Sequence, residues 1–441
     1  MGLTYTEAHF DMEMSAEIRD RALERASPVL VAAAKGSGLL EALAWPRAAE
    51  EAFFASGASS LPQVTYAIDR ARAERHVAEL AALERALPGD HPLFVWLRAL
   101  SRSLLDANRM LLATGTRAFY EISLALYGGA RTTALDADTT NLDFAEHLAR
   151  RLGAALPSSS SRPRLDSTAF IAEAERRLSR QRPPLPLEIV SDPDLSAKAL
   201  CGMTRLRVRT SATFDPSEAV GLYHHEVETH ALTAQNGAAQ PRLPFLRSGG
   251  PRTTRTQEGL AVFSELYVHA LTSDRLRRLT ERVRLVAMAE DGASFLDLYR
   301  HLVSLGQEPH EAYLDAQRIC RGGVLTGGAP FTKDASYLSG LMDVYNFLRV
   351  ALRADAHVVG EVLVSGRLAL EDIEALVWLR AEGVLAPPKH VPRWLSRWDG
   401  LLAYFAFTSF LNEVDLGPVE ERHRALLVRA KTVAARAAQP T

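Results

Sequence analysis

The sequence of 441 residues predicts a mainly α-helical fold that contains one small β-sheet. Two observations lead to this prediction. Apolar residues recur at helical spacing through most of the chain, and only two short segments, 187–190 and 206–209, have the composition and alternation of strands. Both segments precede a helix that is rich in histidine. We therefore expect the small sheet to lie beside that helix.

Composition and charge limit the classes of partner that the chain could have. Hydrophobic residues make up 47% and charged residues 24%, which is typical of a globular protein. The formal net charge of −2 offers no basic excess for a general polyanion binder, so we expect no nucleic-acid partner. Only two cysteines, Cys201 and Cys320, occur, which excludes a disulfide framework and favours a reducing cytoplasm. The N-terminal segment lacks the basic and apolar regions of a signal peptide, and we expect no membrane partner.

The chain divides into four predicted regions. The first is helical, with glycine-rich and proline-rich turns, and the second is a polar Ser/Pro-rich loop or linker. The third is the core, with a short helix, the two strands and the histidine helix, followed by further helices. The last is an arginine-rich amphipathic helix with a tail, predicted to lie on the surface. In order, these regions are residues 1–156, 157–166, 167–415 and 416–441.

The histidine helix has a clear start signal. Asp215 can cap the helix, Pro216 suits its first position, and Glu218 falls in its first turn. The pair Asn236-Gly237 is predicted to end it. A loop rich in proline and glycine follows, after which a second helix is expected.

Residues on these two helices have the composition of a catalytic zinc site. Such a site needs three protein ligands and an open position for water. His225 and His230 could supply two ligands, and Glu226, next to a ligand, could take a proton from the water. Thr256 is predicted to cap the second helix, which then carries Glu258 in its first turn as the third ligand.

The spacing of the histidines is unusual for a shared metal. The common zinc helix places its histidines four residues apart, whereas His225 and His230 are five apart. On a regular α-helix they would point about 140° apart. A shared metal therefore requires a π-bulge or an unwound turn near His230. Two other pairs have a spacing of four, Glu226 with His230 and His224 with Glu228, and spacing alone leaves both open.

The order of motifs along the chain resembles the family named for its QEGLA motif. Bacterial members are labelled flavohaemoglobin expression-modulating proteins, and animal members include the microtubule-associated tyrosine carboxypeptidase, which removes the C-terminal tyrosine of α-tubulin. The resemblance covers about residues 60 to 415. The matching segments are Gly115-Thr116-x-x-Phe119, Tyr127-Gly128, His225-Glu226-x-x-x-His230, Asn236-Gly237-x-x-Gln240-Pro241, Thr256-Gln257-Glu258-Gly259-Leu260-Ala261, Arg321-Gly322 and Lys333-Asp334-x-x-Tyr337-Leu338-x-Gly340.

This resemblance implies a gluzincin-like metallopeptidase, with two histidines on one helix and a glutamate on the next. His225, His230 and Glu258 would bind Zn²⁺, and Glu226 would be the catalytic base. The family's own histidine spacing is five, which favours this register. The implied substrate is the C-terminus of a peptide or protein, with an aromatic, tyrosine-like terminal residue.

Three further residues in family-like motifs are candidates for contact with substrate. A carboxypeptidase must hold a terminal carboxylate, for which arginine and lysine are suited, so Arg321 and Lys333 are predicted to bind substrate. Tyr337 could donate a hydrogen bond to the oxyanion and is predicted to be catalytic. The alternatives are a zinc endopeptidase or amidase with the same centre, and a metal-binding regulatory protein without catalysis.

Overall fold

The computed structural model describes residues 14–133, 138–152, 164–195 and 197–411, and residues 415–419, 421–424, 426, 428 and 429. These residues are mainly helical, as predicted. The α-helices among them are α1 (Ala16–Ser37), α2 (Leu39–Ala42), α3 (Arg47–Ala55), α4 (Arg70–Arg85), α5 (Pro92–Leu112), α6 (Arg117–Tyr127), α7 (Asn141–Leu152), α8 (Ser167–Leu178), α9 (Pro216–His225), α10 (Leu232–Ala238), α11 (Pro251–Tyr267), α12 (Ser273–Glu290), α13 (Phe295–Ser304), α14 (Pro309–Cys320), α15 (Ser336–Arg353), α16 (His357–Leu363), α17 (Ile373–Ala381) and α18 (Trp398–Leu411).

The strands form one three-stranded sheet and one two-stranded ladder. The strands are β1 (Leu165–Asp166), β2 (Glu188–Asp192), β3 (Ala199–Cys201), β4 (Arg205–Arg209) and β5 (Thr213–Phe214). The sheet has the order β2-β4-β3, with β2 parallel and β3 antiparallel to β4, while β1 pairs with β5. The two predicted strands are β2 and β4. The others were not predicted because two or three residues carry too little alternation.

Two predicted regions fall partly outside the described residues. Of the loop or linker 157–166, residues 157–163 lie outside them, and the final two residues form β1. Of the C-terminal region 416–441, residues 417–419, 421–424, 426, 428 and 429 are helical and exposed, and all others except residue 416 lie outside the described residues. No described helix is both long enough and apolar enough to cross a membrane.

The start of α9 has the predicted capping arrangement. The Asp215 carboxylate accepts a hydrogen bond from the Ser217 backbone nitrogen at 2.8 Å, and Glu218 accepts one from the Asp215 nitrogen at 3.3 Å. Together these bonds satisfy two backbone N–H groups that a helix start leaves without partners. The direction of the histidine helix is therefore defined at its first residue, Pro216.

Two predicted boundaries are wrong. The helix does not stop at Asn236-Gly237 but continues to Ala238, because Gly237 permits close packing rather than a turn: a Cβ there would lie 2.2 Å from the Leu246 carbonyl oxygen. Thr256 does not cap the next helix either. That helix, α11, begins five residues earlier, where Pro251 suits its first position.

The small sheet packs beside the histidine helix, as expected from the sequence. Leu206 and Val208 of β4 share a buried cluster with Phe170 of α8 and with Tyr223 and Val227 of the histidine helix. Complete burial of an apolar side chain of this size contributes about 1.5–3 kcal/mol. The sheet therefore supports the helix directly behind the histidines.

One large cluster joins helices from both ends of the chain. It contains residues of α1, α4 and α5 together with residues of α11, α15, α16 and α17. The predicted regions 1–156 and 167–415 therefore share a hydrophobic core. Within it, α11 and α15 cross in backbone contact, since a Cβ on Gly259 would lie 2.2 Å from the carbonyl oxygen of Gly340.

Candidate metal centre

A π-helix, Glu226–Ala231, connects α9 to α10. The wider turn brings His225 and His230 to the same side of the helix, with ring centroids 5.0 Å apart and ring planes at 85°. The predicted departure from regular α-helix is therefore confirmed. π-turns of this kind are rare and often occur at functional sites.

Glu258 of α11 meets both histidines. Its Oε2 atom lies 3.5 Å from His225 Nε2 and 3.5 Å from His230 Nε2. One potential ligand atom from each of the three residues lies within 4.8 Å of the other two. The structure thus brings together the three residues that the sequence singled out as ligands.

The atoms of this cluster fit a bound cation. Glu258 Oε2 is buried and has no hydrogen-bond partner among the described residues. His225 Nδ1 contacts Glu265 at 2.7 Å, so a neutral His225 that donates from Nδ1 turns the lone pair of its Nε2 towards Glu258. Lone pairs that face each other in a buried site need a positive charge between them, and two imidazoles with one carboxylate are a ligand set of catalytic zinc.

Glu265 supports the cluster from behind. It contacts His225 Nδ1 and accepts two hydrogen bonds from Arg275, each of 3.0 Å. Burial alone would raise the pKa of Glu265, but the charges of Arg275 and His225 lower it to about 2. A carboxylate behind a histidine ligand fixes the tautomer and orientation of the ring. The sequence reasoning missed Glu265, although its position seven residues after Glu258 places both on one helix face.

The charges around the cluster are strongly coupled. Without a cation, a proton on His225 supplies the positive charge: burial lowers the pKa of His225, but its interactions with Glu258 and Glu265 outweigh burial and raise the pKa to about 10. For Glu258, burial would raise the pKa, but Lys333 and the two histidines hold it well below the usual range. Glu258 is therefore an anion in this environment.

Lys333 contacts a predicted ligand. Its Nζ atom lies 3.0 Å from Glu258 Oε1 and 3.5 Å from the Tyr337 hydroxyl. The residue is buried, with its ammonium 4.9 Å from the centre of the Tyr337 ring. The sequence predicts that Lys333 binds substrate, whereas in the structure Lys333 forms an ion pair with Glu258.

Glu226 lies next to the cluster but is held by the sheet. Its Oε2 accepts a hydrogen bond of 2.8 Å from the backbone nitrogen of Cys201, in the edge strand β3. The side chain is buried. The short strand that the sequence did not reveal therefore orients the predicted base.

The alternative ligand registers do not form a site with Glu258. His224 Nδ1 lies 2.8 Å from Glu228 Oε2, and Gln181 donates to the other oxygen of Glu228 at 2.8 Å. These residues bind each other, and Glu226 is engaged by the sheet. The convergence with Glu258 belongs to His225 and His230.

Arg321 lies on the Tyr337 side of the cluster. Its guanidinium is 5.6 Å from the centre of the Phe331 ring, and its Nε atom is buried without a hydrogen-bond partner among the described residues. Burial, followed by the nearby charge of Arg318, lowers the pKa of Arg321 to about 10. A half-buried arginine without a matched carboxylate is suited to an anionic ligand.

A family model and a solved structure each match most of the chain. Residues 51–413 match the model of a family described as microtubule-associated tyrosine carboxypeptidase. No curated protein matches. Among solved structures, a metallocarboxypeptidase 1 from Trypanosoma cruzi matches at 13% identity and a TM-score of 0.39, covering 86% of this chain and 95% of that chain. At that TM-score the likeness carries no argument about the site.

Proposed function

The chain belongs to the microtubule-associated tyrosine carboxypeptidase family, and on this premise we propose that it is a zinc-dependent carboxypeptidase that removes the C-terminal residue of a peptide or protein. The observation that carries the proposal is the convergence of His225 Nε2, His230 Nε2 and the unpartnered Oε2 of Glu258. The family description also supports an aromatic, tyrosine-like terminal residue in the substrate.

The three converging side chains would hold the zinc ion. When bound, zinc would supply a Lewis acid and lower the pKa of a bound water. Lys333 neutralises the second oxygen of Glu258, and Glu265 orients His225. These contacts keep the ligand atoms directed to a common point.

Glu226 would act as the general base and then as the general acid. As the water oxygen bonds to the carbonyl carbon, the carbonyl π pair moves to oxygen and a water proton moves to Glu226. Glu226 then gives this proton to the amide nitrogen as the electron pair on oxygen re-forms the carbonyl bond and the carbon–nitrogen bond breaks with its electron pair on nitrogen. Proton transfer of this kind contributes about 10²- to 10⁴-fold to a rate. The hydrogen bond from Cys201 supports this role because it fixes the carboxylate beside the ligands.

Arg321 and Tyr337 would contact the substrate. Arg321 has a buried Nε atom and no ion-pair partner among the described residues, and it would bind the terminal carboxylate. Tyr337 is buried near Lys333 and would donate a hydrogen bond on that side of the scissile bond. We assign Lys333 to Glu258 rather than to the substrate.

Mass spectrometry on peptides tests the proposal. The purified protein should contain one zinc per chain and shorten free-acid peptides by one residue, fastest with a terminal tyrosine. Glu226→Gln should keep the zinc and lose about 10²- to 10⁴-fold in kcat. Glu228→Gln is the matched control, since Glu228 is a buried glutamate of the same π-helix that pairs with His224, and it should remain active.

Other outcomes would overturn the proposal. Cleavage of peptides with amidated C-termini at the same rate would indicate an endopeptidase or amidase. Zinc binding without cleavage of any peptide would indicate a regulatory metal protein. Protein that takes up no zinc would contradict the metal centre itself.

A further inference from the structure

Arg367 is a second arginine with an unusual environment. It lies between α16 and the 3₁₀-helix Leu370–Asp372, and its Nη2 donates to the carbonyl oxygen of His230 at 3.2 Å. Its Nε is buried without a hydrogen-bond partner, and no described carboxylate forms an ion pair with it. Burial lowers the pKa of Arg367. A half-buried cation whose Nε is removed from water and which has no paired anion is costly, so a binding role would explain it.

The position of Arg367 relates it to the reacting centre. Its Nη2 atom lies 3.2 Å from the carbonyl oxygen of His230, a predicted ligand, and its charge interacts with Cys201, Glu226 and Glu258. The charge of Arg321, by comparison, interacts with Arg318 and Asp334 and with tyrosine side chains. Arg367 is therefore the arginine on the side of the base, and Arg321 is the one that is suited to the far end of the substrate.

Hydrogen bonds connect the segment that carries Arg367 to α10 and to the residues that follow it. Asn236 Nδ2 donates to the carbonyl oxygen of Val364 at 2.8 Å and to that of His390 at 2.7 Å. Gln240 Nε2 contacts the carbonyl oxygen of Ser365 at 3.5 Å. Both side chains belong to a motif of the sequence that the hydrolysis does not use. They hold the backbone immediately before Arg367.

Further hydrogen bonds connect the same segment to Leu246 and to α11. The backbone nitrogen of Arg367 donates to Leu246 at 2.8 Å, and the nitrogen of Leu370 donates to the hydroxyl of Thr256 at 3.0 Å. Gly366 permits this packing, since a Cβ there would lie 2.8 Å from the Leu246 Cβ. Thr256 precedes Gln257-Glu258 on α11. The helix that provides Glu258 therefore also sets the position of Arg367.

We propose that Arg367 is a catalytic residue that donates a hydrogen bond to the oxygen of the scissile carbonyl as this oxygen takes up the carbonyl electron pair. The inference rests on the proposed hydrolysis. The oxygen becomes an anion while the water proton moves to Glu226, and the guanidinium supplies the matching charge. Preorganised donors of this type act mainly in the transition state. Asn236, Gln240 and Thr256 are then positioning residues.

Kinetics of Arg367 variants test the proposal on the peptide that the wild type cleaves fastest. Arg367→Gln should lower kcat by about 10²- to 10³-fold, with KM changed less than about 2-fold. The kcat of Arg367→Lys should lie between those of Arg367→Gln and the wild type. The zinc content should equal that of the wild type. Arg353→Gln, which changes an exposed arginine at the end of α15, is the control and should leave kcat unchanged.

A binding measurement gives a readout besides activity. A peptide whose scissile carbonyl is replaced by a phosphonate carries the charge and the tetrahedral shape of the transition state. Calorimetry on the zinc-loaded proteins measures the affinity for this phosphonate peptide. Arg367→Gln should lower that affinity by about the same factor by which it lowers kcat/KM. Affinity for the shortened product peptide should not change.

The contrary results separate this inference from the proposed function. A wild type that cleaves peptides while Arg367→Gln has an unchanged kcat, or only a raised KM, overturns the role of Arg367 alone. A wild type without activity on any peptide overturns both.

Thr256 tests the positioning without touching the guanidinium. Thr256→Val removes the acceptor of the Leu370 backbone nitrogen and should lower kcat, whereas Thr256→Ser retains the acceptor and should restore it. Equal kcat in both variants and in the wild type would contradict the positioning role.

Discussion

Lys333 Nζ lies 3.0 Å from Oε1 of Glu258, and it is the opposite oxygen, Oε2, that lies between the two histidines. The side chain of Glu258 is 12% exposed and has two cationic partners: a lysine of the protein at one oxygen and a proposed metal ion at the other. The lysine compensates the carboxylate charge whether or not a metal is bound. This arrangement leads to a prediction about stability with and without zinc.

Lys333→Met should destabilise the zinc-free protein more than the zinc-bound protein. Without the lysine, the zinc-free state retains a buried carboxylate with its charge partner removed, which costs about 3–5 kcal/mol, while zinc would compensate that charge when bound. The rise in unfolding temperature on addition of zinc should therefore be larger in the variant. An equal rise in both proteins would contradict the assignment. Lys198→Met, which removes a lysine paired with Glu218, is the control and should leave the zinc effect unchanged.

Glu265→Gln should weaken zinc binding and also the fold. The variant loses the carboxylate behind His225, which typically costs about 10- to 100-fold in metal affinity. It also leaves Arg275, whose side chain is 18% exposed, without its counter-ion, at about 3–5 kcal/mol. Chelator competition and chemical unfolding measure the two effects. The control is Glu281→Gln, which removes the partner of His301. If both variants bind zinc alike, Glu265 does not orient the ligand.

Thr229→Val should lower stability by about 1–3 kcal/mol. The Thr229 hydroxyl lies within the π-helix, where it donates to the carbonyl oxygen of His224 at 3.1 Å and contacts the Ser264 hydroxyl at 3.1 Å. Thr280→Val removes a similar hydroxyl that bonds the Arg277 carbonyl in regular α-helix, and it should cost less. Thermal unfolding compares the two. Equal losses would show that the π-turn does not depend on this hydroxyl.

Asp334→Asn should reduce stability in a pH-dependent way. Burial would raise the pKa of Asp334, but the charges of Arg318 and Arg282 outweigh it and hold the pKa below its usual value of about 3.9. A depressed pKa contributes stability above the unfolded-state value that is lost as pH falls towards the folded-state value. The variant should thus lose about 3–5 kcal/mol at pH 7, and the difference should shrink below about pH 4.

Chemical unfolding from pH 7 to pH 3 checks this dependence. A difference that stays constant over the range would exclude the ionised Asp334 as its source. The control is Asp291→Asn, which removes a more exposed ion pair with Arg131 and should cost less than about 1 kcal/mol at pH 7.

Local chemistry made part of the site predictable. The helix cap at Asp215 is predictable from residues close to it in the sequence. The five-residue spacing of His225 and His230 likewise indicates that a shared metal needs a π-bulge or an unwound turn, and the structure contains a π-turn. Glu258 was found because the motif marks it. The start of its helix was misplaced because Thr256, which resembles a cap, instead accepts a hydrogen bond from the distant Leu370.

The remaining parts of the site depend on contacts between distant segments. A lysine in a motif does not reveal that Glu258 lies 3.0 Å away, so the contact between Lys333 and Glu258 could not be predicted from the sequence. Arg367 stands more than 100 residues after His230, whose carbonyl oxygen it contacts. Cys201 acts through its backbone nitrogen, which has no signature in the amino-acid type. Such pairings are set by packing and are not encoded in local spacing.

The extra residue of the π-helix also changes the phase of everything that follows it. Each residue after Ala231 is turned by about 100° from where an uninterrupted α-helix would place it. An uninterrupted α-helix of the same sequence would direct Asn236 and Gln240 away from the segment that carries Arg367. The π-turn therefore sets the angle between two groups of side chains. One group, His225 and His230, faces α11, and the other, Asn236 and Gln240, forms hydrogen bonds to the segment 364–367.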